Sequence, residues 1–209
     1  MPELPEAIQN ALEKHRDNDE ISDFTLVSDT GKEWKVHKMV LSFHSDVLYR
    51  MSISKDFTEG QSGRVVLHEV CDDAIEALRD HLYFYDRDWA DYKLEGVAFT
   101  DFFCDLWRLA DMYNIERLAK TSVDWFGSLF VLEPDLETFE DLRAWVAEAC
   151  DRDIPRPLQQ RMVEDLATLF TTKHSYSPEH VREILDLHPN LAMDVMTEVA
   201  QRKSDLRKA

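Results

Sequence analysis

The stretch Ser22-Asp23-Phe24-Thr25-Leu26-Val27-Ser28-Asp29-Thr30-Gly31-Lys32-Glu33-Trp34-Lys35-Val36-His37 decides the fold. Phe24 and Leu26, then Trp34 and Val36, alternate with polar residues at a period of two, the pattern of a strand with one face buried. Asp29-Thr30-Gly31-Lys32 separates the two runs, and Gly31 supplies the positive φ of a tight hairpin turn. Downstream, Lys38 to Met51 reads as two short helices with Val40, Leu41, Val47, Leu48 and Met51 inward. Ser45 stands where its hydroxyl can N-cap the second helix. Residues 54–63 hold two glycines and are expected to form a loop, and Arg64-Val65-Val66-Leu67-His68 a short strand. Asp72 or Asp73 is then expected to cap a helix running through Ala74, Ile75, Leu78, Leu82 and Tyr85. The charged, aromatic stretch 86–96 reads as an exposed connection.

Outward from this centre the chain turns helical. Leu4, Ala7, Ile8, Ala11, Leu12 and His15 recur at three- and four-residue spacing, an apolar stripe on an N-terminal helix. From about residue 97 onward nearly every segment has helical periodicity. Phe99, Phe102, Phe103 and Trp107 form one aromatic row and Trp125, Phe126 and Phe130 another, both expected in the core. Pro134, Pro155, Pro157, Pro178 and Pro189 mark later helix starts, because proline fits the first turn and not the interior. Repeats and low-complexity segments are absent from the sequence.

Charge narrows the function classes. The 209 residues carry 24 Lys+Arg and 42 Asp+Glu, a formal −18. Such a chain lacks the basic surface that nucleic acid requires, and an anionic membrane repels it. A hydrophobic fraction of 44% is too high for a disordered acidic tail. Cys71, Cys104 and Cys150 form no CxxC pair and are expected as reduced, buried thiols. Met1-Pro2-Glu3-Leu4-Pro5-Glu6 has the features of neither a signal peptide nor a span, so a cytoplasmic or nuclear protein is expected. The basic tip Arg202, Lys203, Arg207 and Lys208 makes a poor nuclear-import signal.

Ser22 to Val27, Val36-His37-Lys38-Met39-Val40-Leu41, Ser45-Asp46-Val47-Leu48, Phe57-Thr58-Glu59, Val65-Val66-Leu67, Leu82-Tyr83 and Leu109-Ala110-Asp111-Met112-Tyr113 follow one another in order. As a colinear set they resemble the BTB/POZ domain. The resemblance covers roughly residues 5–130 and implies an α+β fold, a small sheet with a hairpin flanked by a helical cluster. The expected division is a BTB/POZ domain with its N-terminal helix at 1–133 and an all-helical extension at 134–209. The extension is similar to the tail of stand-alone fungal BTB proteins, most of all from Val181 to Val195. Two departures stand out. Phe84-Tyr85-Asp86-Arg87-Asp88 replaces the usual Thr-Gly turn, and Leu48 stands where an aromatic is common.

Catalytic residues are not evident. Five glycines cannot write a phosphate-binding loop, and no nucleophile, base and orienting acid fall at a recognisable spacing. His37 and His44, seven apart, lack a third metal ligand, so neither metal nor cofactor is expected. The resemblance implies that His37 and Asp23 are fold determinants, His37 bonding the backbone beside the Asp23 strand. It also implies that Phe57 and Glu59 form the hydrophobic-x-Glu motif of adaptors that bind cullin scaffolds. Leu48, Tyr49 and Met51 would flank that surface. Phe57 has a second reading, in which it folds back on its own core and Glu59 is solvated. Leu4, Ile8 and Leu12 would pack across a homodimer interface, or against their own domain. The expected function is a non-enzymatic protein–protein interaction module, an adaptor joining a cullin-RING ubiquitin ligase to a substrate protein. The alternatives are a homo- or hetero-oligomeric BTB scaffold in transcription or complex assembly, and an unrecognised enzyme.

Overall fold

A computed structural model of the chain describes residues 6–83, 91–92, 99–132, 139–171 and 178–206. They fall into two compact units divided between Ser122 and Val123, earlier than the 133/134 boundary expected above.

The first unit opens with α1 (Glu6–His15) and is built on a three-stranded sheet. β1 (Phe24–Ser28) pairs antiparallel with β2 (Glu33–Val36), setting Phe24 opposite Val36 and Leu26 opposite Trp34. The turn is the expected one: Gly31 has φ +83° and its N–H donates to the Ser28 carbonyl at 2.9 Å. On its other side β1 pairs in parallel with β3 (Arg64–Leu67), giving the order β2-β1-β3. β1 is buried at every position, while β2 and β3 keep alternation. A central strand covered on both faces has no solvent side, so the period-two pattern persists only on its neighbours.

Parallel pairing needs a crossover. Here it is α2 (Lys38–His44), α3 (Asp46–Ile53) and α4 (Thr58–Ser62). Ser45 caps α3, its Oγ accepting from the Leu48 N–H at 3.0 Å while donating to the buried Tyr113 carbonyl at 2.6 Å. The expected loop at 54–63 contains a short helix instead, and its two glycines have separate jobs. Gly63 takes φ +70° and ends α4, donating to the Glu59 carbonyl at 2.8 Å. Gly60 lies so close to the end of α3 that a Cβ would stand 1.9 Å from the Ser54 carbonyl oxygen.

α5 (Asp72–Leu82) packs on β1, β2, α2 and α6 (Phe99–Met112). Its N-cap is Cys71, with no side-chain cap. Asp72 and Asp73 lie one residue further in, within the first turn, where their charge meets the positive end of the helix dipole. Buried Asp105 on α6 accepts from the Cys71 N–H at 2.9 Å and joins the two helices. Phe102, Phe103 and Leu106 are fully buried, but Phe99 is exposed and Trp107 half-buried. Only part of that aromatic row is core.

α7 (Glu116–Leu132) begins in the first unit and ends in the second. The second unit adds α8 (Phe139–Cys150), α9 (Arg156–Thr171), α10 (Pro178–Leu187) and α11 (Pro189–Leu206). Pro157, Pro178 and Pro189 all stand in first turns, as expected; Pro134 and Tyr85 lie outside the described residues. Phe126, Leu142, Val146, Leu158, Leu166, Ile184, Leu191 and Val195 form the core. Arg202 on α11 reaches α9, donating to the Thr168 hydroxyl at 2.7 Å and the Glu164 carbonyl at 3.1 Å. Among the described residues no helix is long and apolar enough to cross a membrane.

Candidate functional site

Two exposed apolar places stand out on the first unit. The first is the corner where α4 lies on α3. Phe57 occupies the N-cap position of α4 in extended backbone and is 48% exposed. Glu59, in the first turn, is part-exposed and accepts from the Thr58 hydroxyl at 3.2 Å. Its charge reaches inward, adding to the burial that pushes the Tyr113 hydroxyl up to about 12. Tyr49 and Met51 on α3 are part-exposed. Leu48 is not on this surface: it is fully buried. Val47, expected inward, is exposed instead, and Ile53 at the end of α3 is exposed as well. The exposure of Val47 was not expected, since consecutive apolar residues do not fix the phase of a short helix.

The second place is a groove of about 470 Å³ beside α1. Ile8, Leu12, Met39 and Val40 line its walls, and His37 and Tyr83 lie at its floor. Ile8 and Met39 are exposed, whereas Leu12 is already buried within the unit, so the N-terminal stripe divides between two environments. Leu4 lies outside the described residues. The foot of α1 is clamped to α5 by charge. Arg16 pairs with buried Asp80, Arg79 pairs with Asp17 at 2.8 Å, and Arg79 donates to the Arg16 carbonyl at 2.7 Å. Tyr92 donates to the same Asp80 at 3.0 Å.

His37 and Asp23 line this groove; Asp23 accepts a backbone hydrogen bond, and His37 bonds a side chain where a bond to the backbone beside the Asp23 strand was expected. The Asp23 carboxylate accepts from the Lys38 N–H at 2.7 Å, satisfying a free amide at the start of α2. The His37 ring bonds the Tyr83 hydroxyl, which also accepts from the His37 N–H at 3.0 Å. Burial lowers the pKa of His37 and pushes Tyr83 up to about 12. The pair is therefore a neutral imidazole and a protonated phenol near pH 7, and it fastens β2 to the end of α5. His44 does not share a site with His37. It meets His81 edge to face at 5.7 Å between ring centroids, and burial lowers the two to about 4 and about 3. Among the described residues no group of three or more His, Cys, Asp or Glu side chains could hold a metal ion.

Cys104 is buried, as expected, while Cys71 and Cys150 are half-buried. Burial pushes the Cys71 thiol up to about 12 and raises Cys150, so neither is poised as a thiolate.

No curated protein matches the chain. The family profile of the BTB/POZ domain matches residues 12–124, more than half of the sequence and nearly all of the first unit. Members of that family are protein–protein interaction modules, in keeping with a site made of exposed apolar side chains. The sheet, the crossover helices and this match together show that the chain belongs to the BTB/POZ domain family.

Proposed function

We propose that the protein is a substrate adaptor of a cullin-RING ubiquitin ligase, docking the scaffold through the α3–α4 corner. The observation that carries this reading is Phe57, a large apolar side chain held half in solvent at the start of a helix. Burying such a ring in a partner pocket is worth roughly 1.5–3 kcal/mol when the whole side chain is desolvated. Glu59 sits two residues on, in the first turn of α4, where it can accept a hydrogen bond, and as a rim charge it adds less. The 134–209 extension or the 86–96 connection would recruit the substrate, while transfer chemistry would reside in the partner complex. Calorimetry with the host organism's cullins tests it. Phe57→Ala is expected to weaken binding about tenfold and Glu59→Ala about two- to fivefold. No binding by the wild type would reject the adaptor role.

A second reading, an oligomeric BTB scaffold without a ubiquitin role, is favoured by the groove at α1. Ile8 and Met39 are exposed apolar side chains facing one concavity, and a second chain is the simplest cover. Light scattering separates the readings. Ile8→Asp should convert a dimer to a monomer, and a monomeric wild type removes this reading. The compartment proposed for either is cytoplasm or nucleus.

A further inference from the structure

The groove beside α1 is poor in charge. Among the side chains that line its volume of about 470 Å³, Asp23 is the one fixed charge, and His15 on α1 and His37 just after β2 are imidazoles. The Asp23 carboxylate is already engaged, accepting from the Lys38 N–H at 2.7 Å. On a chain with a formal charge of −18, a second copy is repelled over most of the surface. It meets least repulsion at this groove, where Ile8, Ile21 and Met39 are exposed.

One hydrogen bond ties the groove to a protonation state. Tyr83 is fully buried, and its hydroxyl accepts from the His37 N–H at 3.0 Å. Among the described residues, the acceptor for the hydroxyl's own hydrogen is His37 Nδ1. The ring is thereby held as the Nε2–H tautomer, and a second proton can enter only at Nδ1. Nδ1 would then donate, both lone pairs of the hydroxyl would be taken, and the phenol hydrogen would lie buried without an acceptor. Burial, the largest influence, lowers the pKa of His37; Asp23 opposes it, while His15 on α1 and Arg79 on α5 add to it. Arg16, whose charge is felt at Tyr83, is paired with Asp80, and Lys38 lays its ammonium over the Phe24 ring.

We propose that the groove is an acid-released interface between two copies of this chain, closing on its counterpart while the His37 ring is neutral and opening when that ring takes a proton. This rests on the oligomeric scaffold reading above and adds its regulation. In the single chain His37 is half-buried. A second chain laid over Ile8 and Met39 removes the remaining water, so the covered ring binds a proton less readily than the free one. The dimer therefore holds fewer protons than two separate chains. Its association weakens as pH falls through the free-chain value, which lies below 6.5.

Sedimentation equilibrium of the full chain between pH 7.5 and 5.5, at constant salt, tests this. The dimer dissociation constant should rise about fivefold or more across the range. Near-UV circular dichroism, followed in parallel, should stay constant, because His44 and His81 titrate in the folded chain only near 4 and 3. His37→Gln should abolish the dependence, its constant at pH 5.5 matching its own at pH 7.5, whereas His15→Gln should retain it. If His37→Gln fails to fold, the His37 ring proton is followed by NMR instead. It should titrate at lower pH in the wild-type dimer than in monomeric Ile8→Asp. The proposal is overturned if the wild-type constant does not change with pH, if His15→Gln rather than His37→Gln flattens it, or if the ring titrates alike in dimer and monomer. A wild type that is monomeric at pH 7.5 rejects the scaffold reading and the acid release together; a dimer indifferent to pH rejects the acid release alone.

Discussion

The α3–α4 corner and the α1 groove are both exposed apolar places on one unit, yet they are built in opposite ways. The corner is a projection whose position is fixed by backbone contact: Gly60 against the Ser54 carbonyl sets where Phe57 stands. The groove is a concavity whose wall is fixed by charge: Arg16, Asp80, Asp17 and Arg79 hold the foot of α1, while Ile8 further along remains in solvent. A projection suits a preformed pocket on a partner and loses little ordering entropy on docking. A concavity walled by a helix tied at one end suits an element that packs along it.

That contrast can be broken at either fastening. The largest effect is expected for Asp80→Ala, which leaves the guanidinium of Arg16 in a half-closed site and removes the acceptor of Tyr92. Stability should fall by about 3 kcal/mol in chemical denaturation. Oligomerisation should suffer before cullin affinity, and loss of both in equal proportion would show that the two places are not independent. Gly60→Ala comes next. Its Cβ must push α4 off α3, at a cost of about 1–3 kcal/mol. It should lower cullin affinity at least as far as Phe57→Ala and leave light scattering unchanged; wild-type cullin affinity would mean that α4 is not what presents Phe57.

The smallest effect near neutral pH belongs to acid. His44 ends α2 and His81 lies on α5, and both are held neutral in the folded chain. The unfolded chain binds protons near the ordinary imidazole value of 6.5, whereas the folded chain binds them only near 4 and 3. The stability they contribute is therefore complete above about pH 6.5 and is lost as pH falls toward 4. Urea midpoints should decline over that window, and His81→Gln should flatten the decline. Both places should weaken together, because α2 and α5 underlie each.

What the sequence made legible was local. Gly31 announced its turn, Ser45 its cap, and Pro178 and Pro189 their helices, because each acts through neighbours a few residues away. Misreadings came from residues whose role is set at a distance. Gly60 and Gly63 together look like a loop, yet one serves a tertiary approach and the other a helix end. Val47 and Leu48 are equally apolar, and only packing chooses which turns inward. The Arg16–Asp80 pair and the His44–His81 contact join positions far apart among 42 acids and eight histidines, where chance pairs are everywhere. For the candidate site, sequence pointed to Phe57 and Glu59, but the bond between His37 and Tyr83 has no linear signature at all.

The parallel pairing of β1 with β3 also has a consequence in time. Antiparallel β1 and β2 can zip as soon as their turn closes, but β3 must wait for the chain between them to be folded back. Closing that interval as a loose loop costs entropy, and collapsing it first into three short helices lowers the cost. Until then one edge of the central strand stands open. A newly made chain thus passes through a stage in which its most apolar strand is half-paired, and that interval, more than the finished surface, is when unwanted self-association would begin.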